Sequence, residues 1–247
     1  MIYLNTNFDS LIDQCSGKSV AIIGNSSSVS NYEVGNIIDT YDVVIRMNKF
    51  DCSGDYAKYV GSKSTIYATC LWNRVLHNAS IMTQYPFKSV FCSLPDQPSK
   101  YMKQGEFDRN LKKSYKLGWK EHLQDTLVCP TVSYFDGLGD LIGARPSTGT
   151  LTLCWFLDHI PCSRLYCTGL SFGMQRDHYN NENYKGVGPA HKIHTPRNER
   201  YSVYNTLQHC DTDVLFDDQM CNILGNITDE DFHQYKEKLR TSPRKEF

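Results

Sequence analysis

The sequence predicts an α/β fold in which a mostly parallel central sheet is flanked by helices. Short apolar runs recur along the chain and break into Gly, Asn or Ser, as buried strands of a parallel sheet do. Segments typical of helices lie between these runs, and strands that alternate with helices form parallel sheets. No internal repeat, low-complexity tract or linker divides the sequence. We therefore expect a single domain over residues 1–247.

The first two strands are predicted at 19–23 and 42–47, and each is followed by small polar residues. The first run breaks into Gly24, Asn25 and Ser26, whose backbone N–H groups and side chains are suited to meet an anion. This turn matches neither the G-x-G-x-x-G dinucleotide pattern nor a P-loop. The second run ends at Asn48. Because ligands bind outside the carboxyl ends of strands in open α/β sheets, Asn25 and Asn48 are predicted to face one crevice.

The later elements continue the alternation of strands and helices. Ser147, Thr148 and Gly149 precede an apolar helix over 150–158. Ser and Thr cap helices, and the N–H groups of the first turn carry the positive end of the helix dipole, so this start is suited to an anion. The remaining strands are predicted at 64–68, 88–94, 164–167 and 213–216, and the remaining helices at 101–124, 201–210 and 229–240.

The segment 178–199 is the part of the chain with the most reactive side chains. It holds three histidines (His178, His191 and His194), little apolar content, and two Gly and two Pro that break regular structure. Such a segment is a loop, and reacting groups are commonly placed on loops that a rigid scaffold supports. Histidine titrates near neutrality and can therefore accept a proton from a substrate hydroxyl.

Composition and charge restrict the class of protein. A net charge of −1 gives no electrostatic basis for binding nucleic acid. The ten cysteines include no C-x-x-C pair, so a zinc ribbon or thioredoxin motif is excluded, and we expect a reducing compartment. The first residues do not form a signal peptide, and the most apolar helical segment, about ten residues, is shorter than the roughly 20 that span a bilayer. These features predict a soluble, cytoplasmic protein.

Four blocks of the sequence together resemble the motifs of the animal-type sialyltransferases. The blocks come in the family's order and span roughly residues 18–205. The third motif is matched by His178-Tyr179, and the last by His194 with Glu199. The large sialylmotif is matched by 20–26, 38–48 and 60–65, and the small one by 146–149 and 166–172.

The resemblance implies a Rossmann-like variant of the GT-A glycosyltransferase fold and an inverting transfer of sialic acid from CMP-sialic acid to a hydroxyl of an acceptor glycan. It implies no metal and no cofactor; the partners are the CMP-sugar donor and the glycan acceptor. By position, His194 is the general base, His178 stabilises the leaving phosphate and Glu199 supports the loop or His194. The implied donor-binding residues are Asn25, Ser26, Asn48, Ser147, Thr148, Gly149, Gly169 and Phe172.

The sequence also departs from the family. The family's membrane anchor and stem are missing from it. The cysteine of the large motif, which pairs with one in the small motif, is Val20 here, while Cys162 lies near the partner's position. The third motif continues as Asn180-Asn181, where the family usually has an aromatic residue and an acid, so the acceptor contacts differ. Both the missing anchor and the missing disulfide agree with the expected cytoplasmic location.

Several alternatives remain open from the sequence. The donor could be another CMP-activated acid such as Kdo, or the chain could be a non-catalytic binder of nucleotide sugars. His178, His191 and His194 with Asp177 and Glu199 could form a metal site, and Asp211-Thr212-Asp213 copies the Asp-x-Asp of metal-dependent glycosyltransferases. A basic tail could place the protein on an anionic membrane; it contains Lys236, Lys238, Arg240, Arg244 and Lys245.

Overall fold

Seven parallel strands form one sheet in the computed structural model, which describes residues 8–72, 74–172 and 195–241. In chain order the strands are β1 (Ser19–Ile23), β2 (Val43–Met47), β3 (Ile66–Thr69), β4 (Ser89–Cys92), β5 (Leu127–Val128), β6 (Arg164–Thr168) and β7 (Val214–Phe216). Their order across the sheet is β5-β4-β3-β2-β1-β6-β7, and every neighbouring pair is parallel. The α/β class and the parallel sheet are thus confirmed, with β5 as a strand that the sequence did not predict.

Helices connect and cover these strands. They are α1 (Phe8–Cys15), α2 (Gly35–Ile38), α3 (Ala57–Val60), α4 (Ile81–Gln84), α5 (Glu106–Lys116), α6 (Lys120–Thr126), α7 (Val132–Ile142), α8 (Thr148–His159), α9 (Pro196–Leu207), α10 (Asp218–Gly225) and α11 (Asp229–Thr241). The stretch 101–124, predicted to be mostly helical, contains α5 and most of α6, which are separated where Gly118 takes a positive φ of 86°. Helix α9 begins at Pro196 rather than at 201, because Pro suits the first turn of a helix.

The core lies on both faces of the sheet. Every residue of β2, β3 and β4 is buried, which explains why these strands read as continuous runs rather than as an alternating pattern. Helix α8 is buried from Thr150 to Leu157, and its Trp155 packs on Phe91 of β4 with ring centroids 4.9 Å apart. A helix this apolar all round is expected inside a protein rather than on its surface. Because this helix is packed so tightly on the sheet, its first turn is held beside the carboxyl ends of the strands.

Two further features bear on the expectations from the sequence. All ten cysteines lie within the described residues, and all are free thiols. None of the described helices is both long and apolar enough to cross a membrane. Of the basic tail, Arg244 and Lys245 lie outside the described residues, so membrane contact stays a prediction.

The chain reverses its direction of winding between β1 and β6, and two glycines make this point possible. Strands β2 to β5 lie on one side of β1, whereas β6 and β7 lie on the other. Gly24 follows β1 and Gly169 follows β6, and their backbones touch: a Cβ on Gly24 would overlap the carbonyl oxygen of Gly169. Gly169 has a φ of 75°, a conformation that L-residues with a side chain rarely adopt. Ligands of open α/β sheets bind at such a switch point.

We expect Gly24→Ala to destabilise the fold by about 3 kcal/mol, because the methyl group would overlap the Gly169 carbonyl, a backbone group that cannot move aside as a flexible side chain can. The control is Gly137→Ala in the middle of α7, where an added Cβ meets nothing within 4 Å. That substitution should stabilise the protein by up to ~1 kcal/mol through helix propensity. Urea denaturation followed by circular dichroism measures both, and equal unfolding midpoints for the two variants would contradict the close contact.

Candidate functional site

The carboxyl edge of the sheet brings together most of the predicted donor-binding residues. Asn25 follows β1, Asn48 follows β2 and Gly169 follows β6. Helix α8 begins over the same edge, because the hydroxyls of Thr148 and of Ser93, which follows β4, lie 2.9 Å apart. Gly149 is in close contact with the segment after β6: a Cβ there would lie 2.7 Å from Leu170 Cδ2. Asn25 and Asn48 therefore lie at the same edge of the sheet, while a shared ligand crevice stays a prediction.

The two asparagines hold buried amide oxygens at this edge of the sheet. Asn25 is 9% exposed, and its Nδ2 donates to the carbonyl of Met47 at 2.9 Å, which fixes the orientation of the amide. Asn48 adopts a φ of 49° while its N–H donates to Ala68, a conformation that Asn tolerates better than most residues. Among the described residues, neither Asn25 Oδ1 nor Asn48 Oδ1 has a hydrogen-bond partner. Amide oxygens accept hydrogen bonds, so these two suit hydroxyl or amino groups of a ligand.

Ser26 ties the turn after β1 to the segment after β6. Its N–H donates to the carbonyl of Gly169 at 3.0 Å, and the residue caps a short 3₁₀ turn at Ser27–Ser30. This contact holds Asn25 between two strand ends. The predicted site residue Ser26 is 6% exposed, and its hydroxyl caps the 3₁₀ turn by accepting from the N–H of Ser28 at 3.5 Å.

A buried glutamate holds the start of helix α8. Glu199 is 2% exposed, and its Oε1 accepts from the N–H of Ser147 at 2.8 Å. Its Oε2 accepts from Ser147 Oγ at 2.7 Å and from Thr150 Oγ1 at 2.6 Å. Ser147 Oγ in turn caps the helix by accepting from the N–H of Thr150 at 3.3 Å. The carboxylate thus lies at the positive end of the α8 dipole and fixes the position of the first turn.

Asp217 supports the segment after β6, and sequence reasoning did not single it out. Its Oδ2 accepts from Thr168 Oγ1 at 2.7 Å and from the N–H of Gly169 at 3.0 Å. Its Oδ1 caps α10 by accepting from the N–H of Met220 at 2.7 Å. An Asp directly after an apolar run and three residues before a helical Met is the available signal for this cap. Phe172, the last described residue of the segment, is 4% exposed with a φ of 46°.

The arrangement agrees with what comparison with known proteins finds. The sequence profile of glycosyltransferase family 29 (sialyltransferase) matches residues 9–205, most of the chain. The chain belongs to this sialyltransferase family. No curated protein sequence matches it closely enough to be counted as a relative.

Solved sialyltransferases share the fold at low sequence identity. A mammalian sialyltransferase matches with a TM-score of 0.54 and 17% identity over 81% of this chain and 69% of its own. A mammalian sialyltransferase in complex with Gal-β-1-3GalNAc-ortho-nitrophenol gives a TM-score of 0.52 and 18% identity over the same shares. The sialyltransferase CstII from Campylobacter jejuni, in complex with a substrate analogue, cytidine-5′-monophosphate, matches with a TM-score of 0.53 and 14% identity. The match covers 85% of this chain and 84% of CstII.

The histidines assigned from the family motifs, His178 and His194, lie outside the described residues, as do His191 and Asp177. Within the ranges that the structure describes, no three His, Cys, Asp or Glu side chains are grouped so as to hold a metal ion. The Asp-x-Asp at 211–213 lies before β7, at the amino end of the strands and thus opposite the crevice. Its Asp213 pairs with Arg164 at 3.3 Å on the exposed surface.

We expect Glu199→Ala to lower the free energy of unfolding by about 3 kcal/mol, because a buried N–H and two hydroxyls lose their acceptor. Glu199→Gln keeps an oxygen for the Ser147 N–H and should cost less. Glu121→Ala, at an exposed position of α6, is the matched control and should leave stability unchanged. Urea denaturation measures all three, and a Glu199→Ala variant as stable as the control would rule out this role.

Proposed function

We propose that this protein transfers sialic acid from CMP-sialic acid to a hydroxyl of an acceptor glycan, in a single inverting displacement that uses no metal. The observation that carries the proposal is the crevice at the switch point of the sheet. There the turns after β1 and β2 lie at the same sheet edge as the start of α8 and the segment after β6. Membership of the sialyltransferase family supports the donor and the reaction.

The crevice has groups for both parts of a cytidine monophosphate. The amide oxygens of Asn25 and Asn48 are acceptors for ribose hydroxyls or the cytosine amino group. The N–H groups of Thr148 and Gly149 open α8, where no carbonyl of the same helix can reach them, and they suit an anionic group of the donor. Gly169 touches the turn after β1, and we expect Gly169 and Phe172 to line the cytosine, as their family positions imply. Ser147 contributes by holding α8, since its N–H and its hydroxyl both donate to Glu199.

The chemistry needs a base and a means of stabilising the leaving group. In the proposed step, the acceptor oxygen forms a bond to the anomeric carbon of sialic acid while the bond from that carbon to the CMP phosphate breaks. His194 takes the proton from the acceptor hydroxyl, which a group titrating near neutrality can do. His178 donates to the phosphate of the departing CMP, where negative charge increases. Glu199 is a positioning residue for this site.

The reaction is tested by offering CMP-sialic acid and CMP-Kdo separately to the purified chain, with EDTA present and a panel of glycans as acceptors. Mass spectrometry should show a glycan heavier by one sialic acid, with CMP released. Product from CMP-Kdo alone would replace the donor assignment. Hydrolysis or transfer that stops in EDTA would refute the metal-free reaction, and CMP binding with no product from either donor would favour a non-catalytic binder.

We expect His194→Ala to abolish transfer while leaving the affinity for CMP unchanged, because the base acts only on the acceptor. The matched control is His209→Ala, an exposed histidine beyond the end of α9, which should retain full activity. Initial rates and calorimetric titration with CMP give the two readouts. Turnover by His194→Ala within a few-fold of the control would assign the base to another residue.

A further inference from the structure

Two surface grooves lie on either side of Arg200, beside helix α9. The first, which we call the amide groove, has a volume of about 360 Å³ and includes Asn31, Arg200, Gln219, Asn222 and Asn226. The second, the tyrosine groove, has a volume of about 330 Å³ and includes Arg200, Tyr201, Gln234 and Tyr235. Both volumes fall at the lower end of the roughly 300–1,000 Å³ that small-molecule sites occupy. Since Arg200 borders both, one elongated ligand can contact the two grooves together.

The side chains of the amide groove match the hydroxyls of a sugar. A carboxamide both donates and accepts hydrogen bonds, as a hydroxyl does, so a row of amides can bind a polyol without a net charge. Gln219 and Asn222 lie on one face of α10 because they are spaced by three residues, and Asn226 caps the end of the helix beside the same groove. Asn31 faces them from the end of the 3₁₀ turn that follows Ser26.

The tyrosine groove adds a rigid aromatic wall. The rings of Tyr201 and Tyr235 stack with centroids 4.1 Å apart, and Tyr235 Oη donates to the carbonyl of Leu141 at 2.6 Å. The guanidinium of Arg200 lies 4.8 Å from the Tyr201 ring and donates to Tyr201 Oη at 3.1 Å. Because Tyr235 is only 8% exposed and its hydroxyl is bonded, it supports the wall from behind, and Tyr201 with Arg200 forms the surface that a sugar can contact.

Arg200 is fixed in place by these contacts without a carboxylate of its own. Within the described part of the chain, no Asp or Glu oxygen forms an ion pair with it. The acids beside it already have local partners. Asp218 accepts from Tyr32 Oη at 2.7 Å, a contact that raises the pKa of the Tyr32 hydroxyl. Asp231 accepts from the Thr228 hydroxyl at 2.7 Å, and this bond lowers its pKa. A guanidinium held this way can donate to adjacent hydroxyls of a ligand.

Three segments of the chain that contribute to the grooves also contribute to the candidate site. The turn that ends at Asn31 begins at Ser26, which is bonded to Gly169 in the crevice. Helix α10 begins after Asp217, which holds the other side of Gly169. Arg200 follows Glu199, which holds the start of α8. A glycan with one end in the crevice could therefore extend along these elements.

We propose that the amide groove and the tyrosine groove bind the inner sugars of the acceptor glycan, beyond the sugar that receives the transferred residue. This assignment rests on the proposed sialyltransferase function. The acids and bases along the two grooves are nearly balanced, Arg200 and Lys238 against Asp218 and Asp231, so the partner is a neutral oligosaccharide rather than a polyanion.

The test compares a galactose-terminated disaccharide with a galactose-terminated pentasaccharide as acceptors for the full chain. The groove variant is Gln219→Ala with Asn222→Ala. The control variant is Asn36→Ala with Gln124→Ala, two exposed helical amides outside both grooves. Alanine favours helix, so neither pair of changes should unfold the protein. With wild type and the control, KM for the pentasaccharide should be about tenfold below that for the disaccharide, the effect of one to two hydrogen bonds.

The groove variant should lose this difference in KM while its kcat and its affinity for CMP stay unchanged. Equal KM values for the two acceptors in wild type, or the same ratio in the groove variant as in the control, would overturn the proposal. Saturation-transfer NMR with the pentasaccharide, without donor, measures binding of the acceptor independently of transfer. It therefore distinguishes failure of the binding-site proposal from failure of the proposed function. If no transfer occurs, the binding site is still supported when the inner sugars are saturated by wild type but not by the groove variant. If wild type does not saturate the inner sugars, the binding site is refuted.

Discussion

The contact between the backbones of Gly24 and Gly169 is the constraint on which the site depends. It lets the ends of β1 and β6 approach more closely than any side chain would allow, at the point where the winding of the sheet reverses. Ser26 can then donate to Gly169, and Asn25 is held between the strand ends with its amide bonded to Met47. The positions of Asn25 and Ser26 therefore depend on a contact between two backbones.

The second requirement is that helix α8 begins at a fixed place over this crevice. Its apolar body is buried against the sheet, which fixes the axis of the helix, but burial alone does not fix where its first turn ends. Glu199 does so by accepting hydrogen bonds from Ser147 and Thr150. Because Glu199 belongs to α9, the position of α9 and the position of the α8 start are linked. The predicted base, His194, lies two residues before Pro196 in the sequence, and Pro196 begins the helix that carries Glu199.

The sequence was sufficient to predict what depends on local pattern, and insufficient where contacts are distant. Six of the seven strands are read from apolar runs, and the motif order predicts the family that the profile match confirms. The two-residue strand β5 has no pattern of its own and exists because it pairs with β4. Gly118 is one residue in a stretch of Lys, Glu and Leu, and its positive φ divides a helix that periodicity alone would continue. The partners of Glu199 are 49 and 52 residues away, so its role could not be seen in the chain.

The carboxylate of Glu199 also limits where the phosphate of a bound donor can lie. Its oxygens accept from the N–H and the hydroxyl of Ser147 and from the hydroxyl of Thr150, beside the positive end of α8. A helix start stabilises an anion by only about 0.3–2 kcal/mol, and here the donors of Ser147 are already taken by Glu199. In the proposed site, a phosphate would therefore use the N–H groups of Thr148 and Gly149, and it needs a positive or proton-donating group from outside α8. In the proposed reaction that group is His178. Its assignment to the leaving phosphate then has a physical basis as well as its position in the family motif.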